Sequence, residues 1–311
     1  MPARVARLAR PEAVALLWVV LVWGSGWLAI KVALGSFAPL FLAGSRQAVT
    51  VLLMWQVARA AGAAWPRDRA EWRTLLGTGA LMAGVCPGLV FLGQERVPSG
   101  LASLLFAAMP LFTLLLADRF LPGEPLTRGR LSGILVGLAG VAVVSGAGLA
   151  GDGFDPAGAA AVLLGAAIFS AGLVWMKRAT AASAEGGARF HPLVVVAAQS
   201  AAGGLVLLPM SIATEPEPIR QASLFAAAMY AYLTLVQSCL TQSVYFWLVK
   251  RVDATRIAYI SCVVPAIAVL AGAFALGEPV GWTIALGGAG VVAGLYLVNR
   301  PARGARRADQ R

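Results

Sequence analysis

One arginine lies deep inside a long apolar stretch of the sequence. Arg46 stands about eight or nine residues into a predicted membrane-spanning helix over 38–57, which at about 1.5 Å per residue is roughly 12–14 Å from the helix end. A guanidinium at that depth must face protein or water, and its planar fork of donors matches a carboxylate or a phosphate. Arg46 is therefore a candidate anchor for an anionic substrate group. The alternative is a structural arginine satisfied by backbone carbonyls or by Glu95.

A polar stripe runs along a later predicted span over 223–248. Its residues recur at spacings of three and four, so they share one face of a helix. Such a face points into the protein or a water-filled cavity, where it lines a substrate path or forms interhelical hydrogen bonds. The stripe consists of Thr234, Gln237, Ser238, Thr241, Gln242 and Tyr245. Gln237, Thr241 and Gln242 are its best candidates for substrate contact.

Four aromatic residues complete the candidate site. Trp23 and Trp27 stand one helical turn apart on the first predicted span, over 14–33. Rings on one helix face can stack an aromatic or aliphatic substrate, or pack against neighbouring helices. Trp175 and Tyr259 are weaker candidates on the matching helices of the second half of the chain.

Two prolines lie mid-span at matching positions of the two halves of the chain, Pro110 and Pro265. Proline removes a backbone hydrogen bond and disturbs the helix around it. The pair is a candidate set of hinges for alternating access, with two static kinks as the alternative.

The apolar spans contain no deeply placed acid. Glu12, Glu95, Asp118 and Glu278 fall near span ends, and the only histidine, His191, opens a span. Proton relays and cation sites need a buried carboxylate or histidine, so the embedded positive charge favours a carboxylate-bearing substrate. The three cysteines show no metal-ligand spacing, and no catalytic cluster is visible. We expect neither an enzyme nor a cofactor or metal.

The composition requires lipid as the solvent. Hydrophobic residues make up 59% of the 311-residue chain, charged residues 13%, and the mean hydropathy is +0.79; a soluble domain is about a quarter charged. A span needs about 20 residues. We therefore predict an all-α membrane protein of ten transmembrane helices. The predicted spans are 14–33, 38–57, 74–93, 99–117, 129–147, 156–176, 192–212, 223–248, 256–276 and 280–298.

The basic residues predict the orientation of these spans. With the N-terminus in the cytoplasm, 21 Lys and Arg fall on the cytoplasmic side and two, Arg96 and Arg220, on the other. Cytoplasmic loops of membrane proteins carry an excess of Lys and Arg, so this asymmetry predicts that both termini lie in the cytoplasm. The net charge of +11 is thereby explained by topology rather than by nucleic-acid binding.

The two halves of the chain repeat each other, as residues 1–150 and 151–311. Pro39 and Arg46 correspond to Pro192 and Gln199 at one constant offset, which adds Gln199 to the candidate site. Each half has five predicted spans, so the halves must have opposite orientations. Inverted repeats are typical of secondary transporters, whose substrate site lies near the midplane between the repeats.

Six short motifs are spread along the chain. They are WGSGWLAIK at 23–31, SR at 45–46, PLFT at 110–113, GEPL at 123–126, GEP at 277–279 and GLYLVNR at 294–300. Together these motifs resemble EamA-type members of the drug/metabolite transporter superfamily, along essentially the whole chain. This resemblance implies a ten-helix carrier of the bacterial inner membrane, often an exporter of amino acids or other small metabolites.

We therefore expect a secondary carrier that exports neutral or aromatic amino acids, or related carboxylate-bearing compounds, by alternating access. Its partners would be a small-molecule substrate and membrane lipid, without nucleic acid. The alternative is a non-transporting membrane receptor or assembly protein. Substrate identity, transport direction, coupling ion and oligomeric state, a homodimer included, are left open by the sequence.

Overall fold

The chain is α-helical throughout the part that the structure describes. The computed structural model describes residues 10–121, 127–148, 155–181, 190–221, 223–249, 251–252, 254–278 and 280–299, without a strand among them. Seven helical stretches of this part are long and apolar enough to cross a membrane, namely Pro11–Leu34, Pro39–Ala60, Arg69–Arg96, Ser99–Phe120, Pro156–Thr180, Pro192–Thr214 and Leu224–Leu248. The prediction of a helical membrane protein is confirmed at this level, while the ten-span inverted repeat stays a prediction.

The described residues form thirteen α-helices and two π-helical segments. The helices are α1 (Arg10–Leu34), α2 (Pro39–Ala60), α3 (Arg69–Gly79), α4 (Cys86–Arg96), α5 (Ser99–Phe106), α6 (Met109–Phe120), α7 (Arg128–Gly148), α8 (Pro156–Ala181), α9 (Pro192–Thr214), α10 (Leu224–Ala231), α11 (Gln242–Val249), α12 (Ala254–Leu276) and α13 (Trp282–Asn299). The π-helical segments are π1 (Ala80–Val85), which joins α3 to α4, and π2 (Tyr232–Thr241), which joins α10 to α11.

Glycines let two pairs of helices approach closely. On α7 and α13, a Cβ added at Gly140 or Gly294 would meet backbone atoms of the opposite helix. On α2, a Cβ at Gly44 would meet Leu207 and Leu208 of α9. Such small-residue contacts replace the hydrophobic effect as the main packing device inside a bilayer. The glycines of α7 and α13 therefore let these two helices pack backbone to backbone.

The two mid-span prolines have different surroundings. Pro110 follows a real interruption, because α5 ends at Phe106 and α6 begins only at Met109. The Ser170 hydroxyl of α8 donates to the Met109 carbonyl at 2.8 Å and so satisfies part of this broken backbone. Pro265 instead lies inside the continuous helix α12. The matched sequence positions therefore do not give matched backbone geometry.

At one end of the bundle, two glutamate carboxylates accept hydrogen bonds from helix N-termini. We call this the outer end, because the basic residues predict that it faces away from the cytoplasm; the opposite end is the inner end. Glu215 accepts the N–H groups of Leu40 and Phe41, each at 2.8 Å, at the start of α2. Glu278 accepts the N–H groups of Ser99 and Gly100, at 2.7 and 3.1 Å, at the start of α5. Each carboxylate thus occupies the positive N-terminal end of a helix.

Charged side chains add two more links at the outer end. Arg220 donates to the Glu95 carboxylate at 2.6 Å. The Lys31 ammonium of α1 donates to the carbonyls of Gln94, Glu95 and Val97, at 2.8, 3.2 and 3.0 Å. Lys31 therefore caps the C-terminus of α4, where a cation complements the helix dipole.

Candidate functional site

Arg46 is the only charged residue of α2 that is buried in the bundle, with 8% of its surface exposed. Its Nη1 lies 3.5 Å from the Gln237 amide oxygen, and its Cζ lies 5.2 Å from the centre of the Phe91 ring. Its Nε is buried without a hydrogen-bond partner. Within the part of the chain that the structure describes, no Asp or Glu forms an ion pair with Arg46. The guanidinium therefore keeps donor capacity for an anion.

Gln237 reaches Arg46 because glycine stands on the neighbouring helix. Gln237 lies in π2, and its amide rests against Gly26 of α1, where a Cβ would collide with it. One residue earlier, the Ser25 hydroxyl lies 2.7 Å from the Tyr232 hydroxyl at the start of π2. The WGSGW motif of α1 thus has a structural reason: its small residues allow π2 to pack against the α1 backbone beside Arg46.

Aromatic rings form one side of the site. Trp27 packs against Phe106 of α5 with ring centres 5.5 Å apart, and Phe106 meets Phe169 of α8 at 6.0 Å. Trp27 and Phe91 belong to the same apolar cluster. The fully buried Gln94 donates its amide N–H to the Trp27 carbonyl at 2.5 Å. This arrangement offers flat apolar surfaces near a positive charge.

Other predicted site residues lie further along α1 and π2. Trp23 packs against Tyr245 in a tilted arrangement, with ring centres 4.8 Å apart. The buried Thr241 accepts the indole N–H of Trp18 at 2.9 Å. Gln242 begins α11 and is half-buried. The contacts of Trp23 and Thr241 are with protein side chains, and their substrate role stays a prediction.

Two predicted site residues have contacts away from Arg46 in the structure, and a third has a side chain that is not described. Gln199 is buried on α9 and donates its amide N–H to the Thr78 hydroxyl of α3 at 3.2 Å. Trp175 lies against Gly77 of α3, near the inner end of α8. Tyr259 falls in α12, but its side chain lies outside the described residues. Their role in binding stays a prediction.

Phe91, Gln94 and Phe106 were missed by sequence reasoning, although the structure places them beside the predicted residues. A lone aromatic residue in an apolar run carries no signal that separates a site wall from ordinary packing. Gln94 carried a signal, because a fully buried amide needs partners, but its place near a span end suggested a loop.

A polar, positively charged site enclosed by an apolar helical bundle is the arrangement of membrane transport proteins. The chain belongs to the EamA-like transporter family, whose pattern it matches over residues 10–146 and again over 156–300. The family resemblance read from the sequence motifs is thereby confirmed.

The relatives are named as transporters and exporters. The uncharacterized inner membrane transporter YedA of Escherichia coli K12 is 30% identical over 269 residues, covering 85% of this chain and 82% of its own. A probable terminal-alkyne amino-acid exporter of Streptantibioticus cattleyicolor is 30% identical, covering 94% and 95%. A probable amino-acid metabolite efflux pump of Salmonella typhimurium is 29% identical, covering 93% and 95%.

One solved protein structure shares the fold. A crystal structure with 22% sequence identity covers 97% of this chain and 100% of its own, with a TM-score of 0.67. This similarity supports the helical arrangement described above and carries no information about substrate.

Proposed function

We propose that the protein is a secondary carrier that exports neutral or aromatic amino acids, or related carboxylate-bearing compounds, across the bacterial inner membrane. The observation that carries this proposal is the buried Arg46 guanidinium, which has an amide and a ring as neighbours and an Nε without a partner. A bidentate carboxylate would supply the missing acceptors. The names of two relatives, a probable terminal-alkyne amino-acid exporter and a probable amino-acid metabolite efflux pump, agree with this substrate class.

Each neighbour of Arg46 has a definite part in this proposal. The Phe91 ring lies 5.2 Å from the Arg46 Cζ and offers the guanidinium a cation–π contact, which needs none of its N–H donors. Gln237 orients the guanidinium through its amide oxygen and is positioned to exchange that bond for one to the substrate. Trp27 and Phe106 present rings to the apolar side chain of an amino acid.

We further infer that transport proceeds by alternating access between two inverted halves, 1–150 and 151–311. The links at the outer end support this inference, because Glu278 ties the α12–α13 connection to α5 and Arg220 pairs with Glu95, each across the two halves. Of the two proposed hinges, Pro110 stands beside an existing break in the backbone, whereas Pro265 is held within a continuous helix.

The test is ligand-dependent stabilisation of the purified protein against amino acids, organic acids, nucleosides and lipophilic cations, followed by flux into liposomes. We expect carboxylate-bearing ligands to raise the unfolding temperature, and Arg46→Ala to weaken their binding about 10- to 100-fold, the worth of charge-assisted hydrogen bonds. Arg46→Lys keeps the positive charge but loses the planar pair of N–H donors, so its ligand affinity should lie between those of the unmodified protein and Arg46→Ala. Arg59→Ala removes an exposed arginine of the same helix and is the matched control.

A ligand pair makes this test sharper. An amino acid and its amide differ only in the carboxylate, so Arg46→Ala should remove most of the difference in affinity between them. Binding of cations alone, or an acid-to-amide difference that persists in Arg46→Ala, would return Arg46 to a structural role.

A further inference from the structure

A cavity lies at the inner end of the molecule, between the start of α3 and the end of α8. It has a volume of about 430 Å³, and Arg73 and Arg178 line it from the two helices. The rest of the lining consists of Ala70, Glu71, Thr74, Trp175, Ala179 and Phe190. The cavity therefore combines two arginines and one glutamate with an indole ring and apolar side chains.

The cavity lies beside an exposed stripe of α8, to which its lining residue Trp175 belongs. Leu164 and Trp175 are eleven residues apart, which is about three helical turns, so they share one face of the helix. Their exposed fractions are 53% and 39%. On a different face of α8, Phe169 packs against Phe106 in the aromatic wall beside Trp27. The exposed stripe is therefore separate from the Arg46 site.

Glu71 is the acidic residue of the cavity lining, and its carboxylate already accepts a backbone hydrogen bond. Glu71 is buried, and its carboxylate accepts the backbone N–H of Arg67 at 2.6 Å. The backbone N–H of Glu71 donates to the Asp68 side chain at 2.8 Å, and Asp68 thereby caps the start of α3. The two arginines on the rim are exposed side chains, at the level where a spanning helix meets the headgroups. An indole at this level is typical of the membrane interface.

We propose that this cavity binds an anionic phospholipid. The headgroup phosphate lies between Arg73 and Arg178, and an acyl chain runs along the exposed stripe from Trp175 towards Leu164. Two arginines from different helices recognise a phosphodiester by charge and by paired N–H donors. By joining α3 to α8 the lipid would stabilise the inner end of the bundle. The proposal does not depend on Arg46 or on the identity of the transported substrate.

Brominated lipids test the site directly, because bromine on an acyl chain quenches a tryptophan that the chain touches. The detergent-purified protein is titrated with brominated phosphatidylglycerol or brominated phosphatidylethanolamine. We expect stronger quenching by the glycerol lipid, and loss of this excess in Trp175→Phe. Arg73→Gln combined with Arg178→Gln should raise the concentration for half-maximal quenching roughly thirtyfold, since each arginine near anionic lipid is worth about a factor of five.

Arg59→Gln is the control, because it removes an exposed basic residue of the inner end that does not line the cavity. Equal quenching of Trp175 by both lipids, or the same loss in Arg59→Gln, would overturn the proposal in favour of unspecific attraction. Displacement of the lipid by inorganic phosphate would also overturn it and assign a free-anion site. The comparison of the unmodified protein with Trp175→Phe decides the matter even where the double arginine variant fails to fold.

Discussion

Gly26 is the residue on which the geometry of the Arg46 site most directly depends. A Cβ at this position would occupy the space of the Gln237 amide. Gly26→Ala should therefore push Gln237 off Arg46, weaken binding of the ligand that stabilises the unmodified protein, and cost about 1–3 kcal/mol of stability through overpacking. Thermal unfolding with and without that ligand measures both effects.

Gly129→Ala is the matched control, because a Cβ there meets nothing within 4 Å. The control should leave both stability and ligand binding close to those of the unmodified protein. Unchanged ligand binding in Gly26→Ala would show that the Gln237 position next to α1 does not matter for the site.

At the residue scale, the sequence could predict Arg46 and Gln237 but not their contact. The depth of Arg46 in an apolar stretch and the spacing of the polar stripe are local properties of the chain. Which helices meet is a long-range property, so Gln199 was grouped with Arg46 by repeat symmetry although it hydrogen-bonds Thr78 on α3. Repeat symmetry predicts equivalent positions without predicting equivalent surroundings.

At the scale of the elements, α8 begins with a charged cap outside the membrane. Asp155 accepts the N–H groups of Ala157 and Gly158 at 2.8 and 3.0 Å, and Arg96 lies 3.4 Å away. The Gly158 N–H, together with the Ala157 N–H and the Arg96 charge, lowers the pKa of Asp155 from its ordinary 3.8. A carboxyl with a lowered folded-state pKa stabilises above the unfolded-state pKa and loses that effect as the pH falls.

Asp155→Asn should therefore lower the unfolding temperature at neutral pH, and the difference from the unmodified protein should shrink as the pH falls below about 4. Asparagine still caps a helix, so the comparison isolates the charge. Glu217→Gln, at an exposed position of the α9–α10 connection, controls for loss of one negative charge. A difference that stays constant from pH 7 to pH 3 would contradict the role assigned to the carboxylate.

The π-helical segments are the element-scale feature that sequence periodicity could not predict. Both π1 and π2 occur near the middle of a long helical stretch, and each inserts residues that shift the face of the helix beyond it. The carbonyl of Ala83 in π1 accepts the Gln47 amide at 3.0 Å, and Ser238 donates to the Leu233 carbonyl within π2 at 3.0 Å. A stripe assigned at 3.6 residues per turn is therefore displaced beyond each π-helical segment, whereas Gln237 and Thr241, four residues apart within π2, both contact α1.

At the scale of the whole molecule, two similar carboxylate caps at the outer end join different parts of the bundle. Glu215, which directly follows α9 and accepts the Ser211 hydroxyl at 2.8 Å, holds the start of α2, and α2 and α9 pack closely together. Glu278 follows α12 and holds the start of α5, including the Ser99 hydroxyl at 2.9 Å. Both links join the two proposed halves. If access alternates as proposed, we expect the α12–α5 link to open on the outer side and the closely packed α2–α9 pair to stay together.

Glu278→Gln should therefore expose the interior from the outer side, because the amide replaces a charged acceptor worth about 1–3 kcal/mol. Ser103 reports the change: it lies one turn inward of Ser99 and is 2% exposed. In a chain lacking its native cysteines, Ser103→Cys should react roughly tenfold faster with an impermeant maleimide when Glu278→Gln is added. Glu215→Gln removes the same kind of cap and should leave the rate unchanged. Equally faster labelling with both substitutions would indicate a general loosening of the outer end. An unchanged labelling rate with Glu278→Gln would show that the link between Glu278 and α5 does not control access from the outer side.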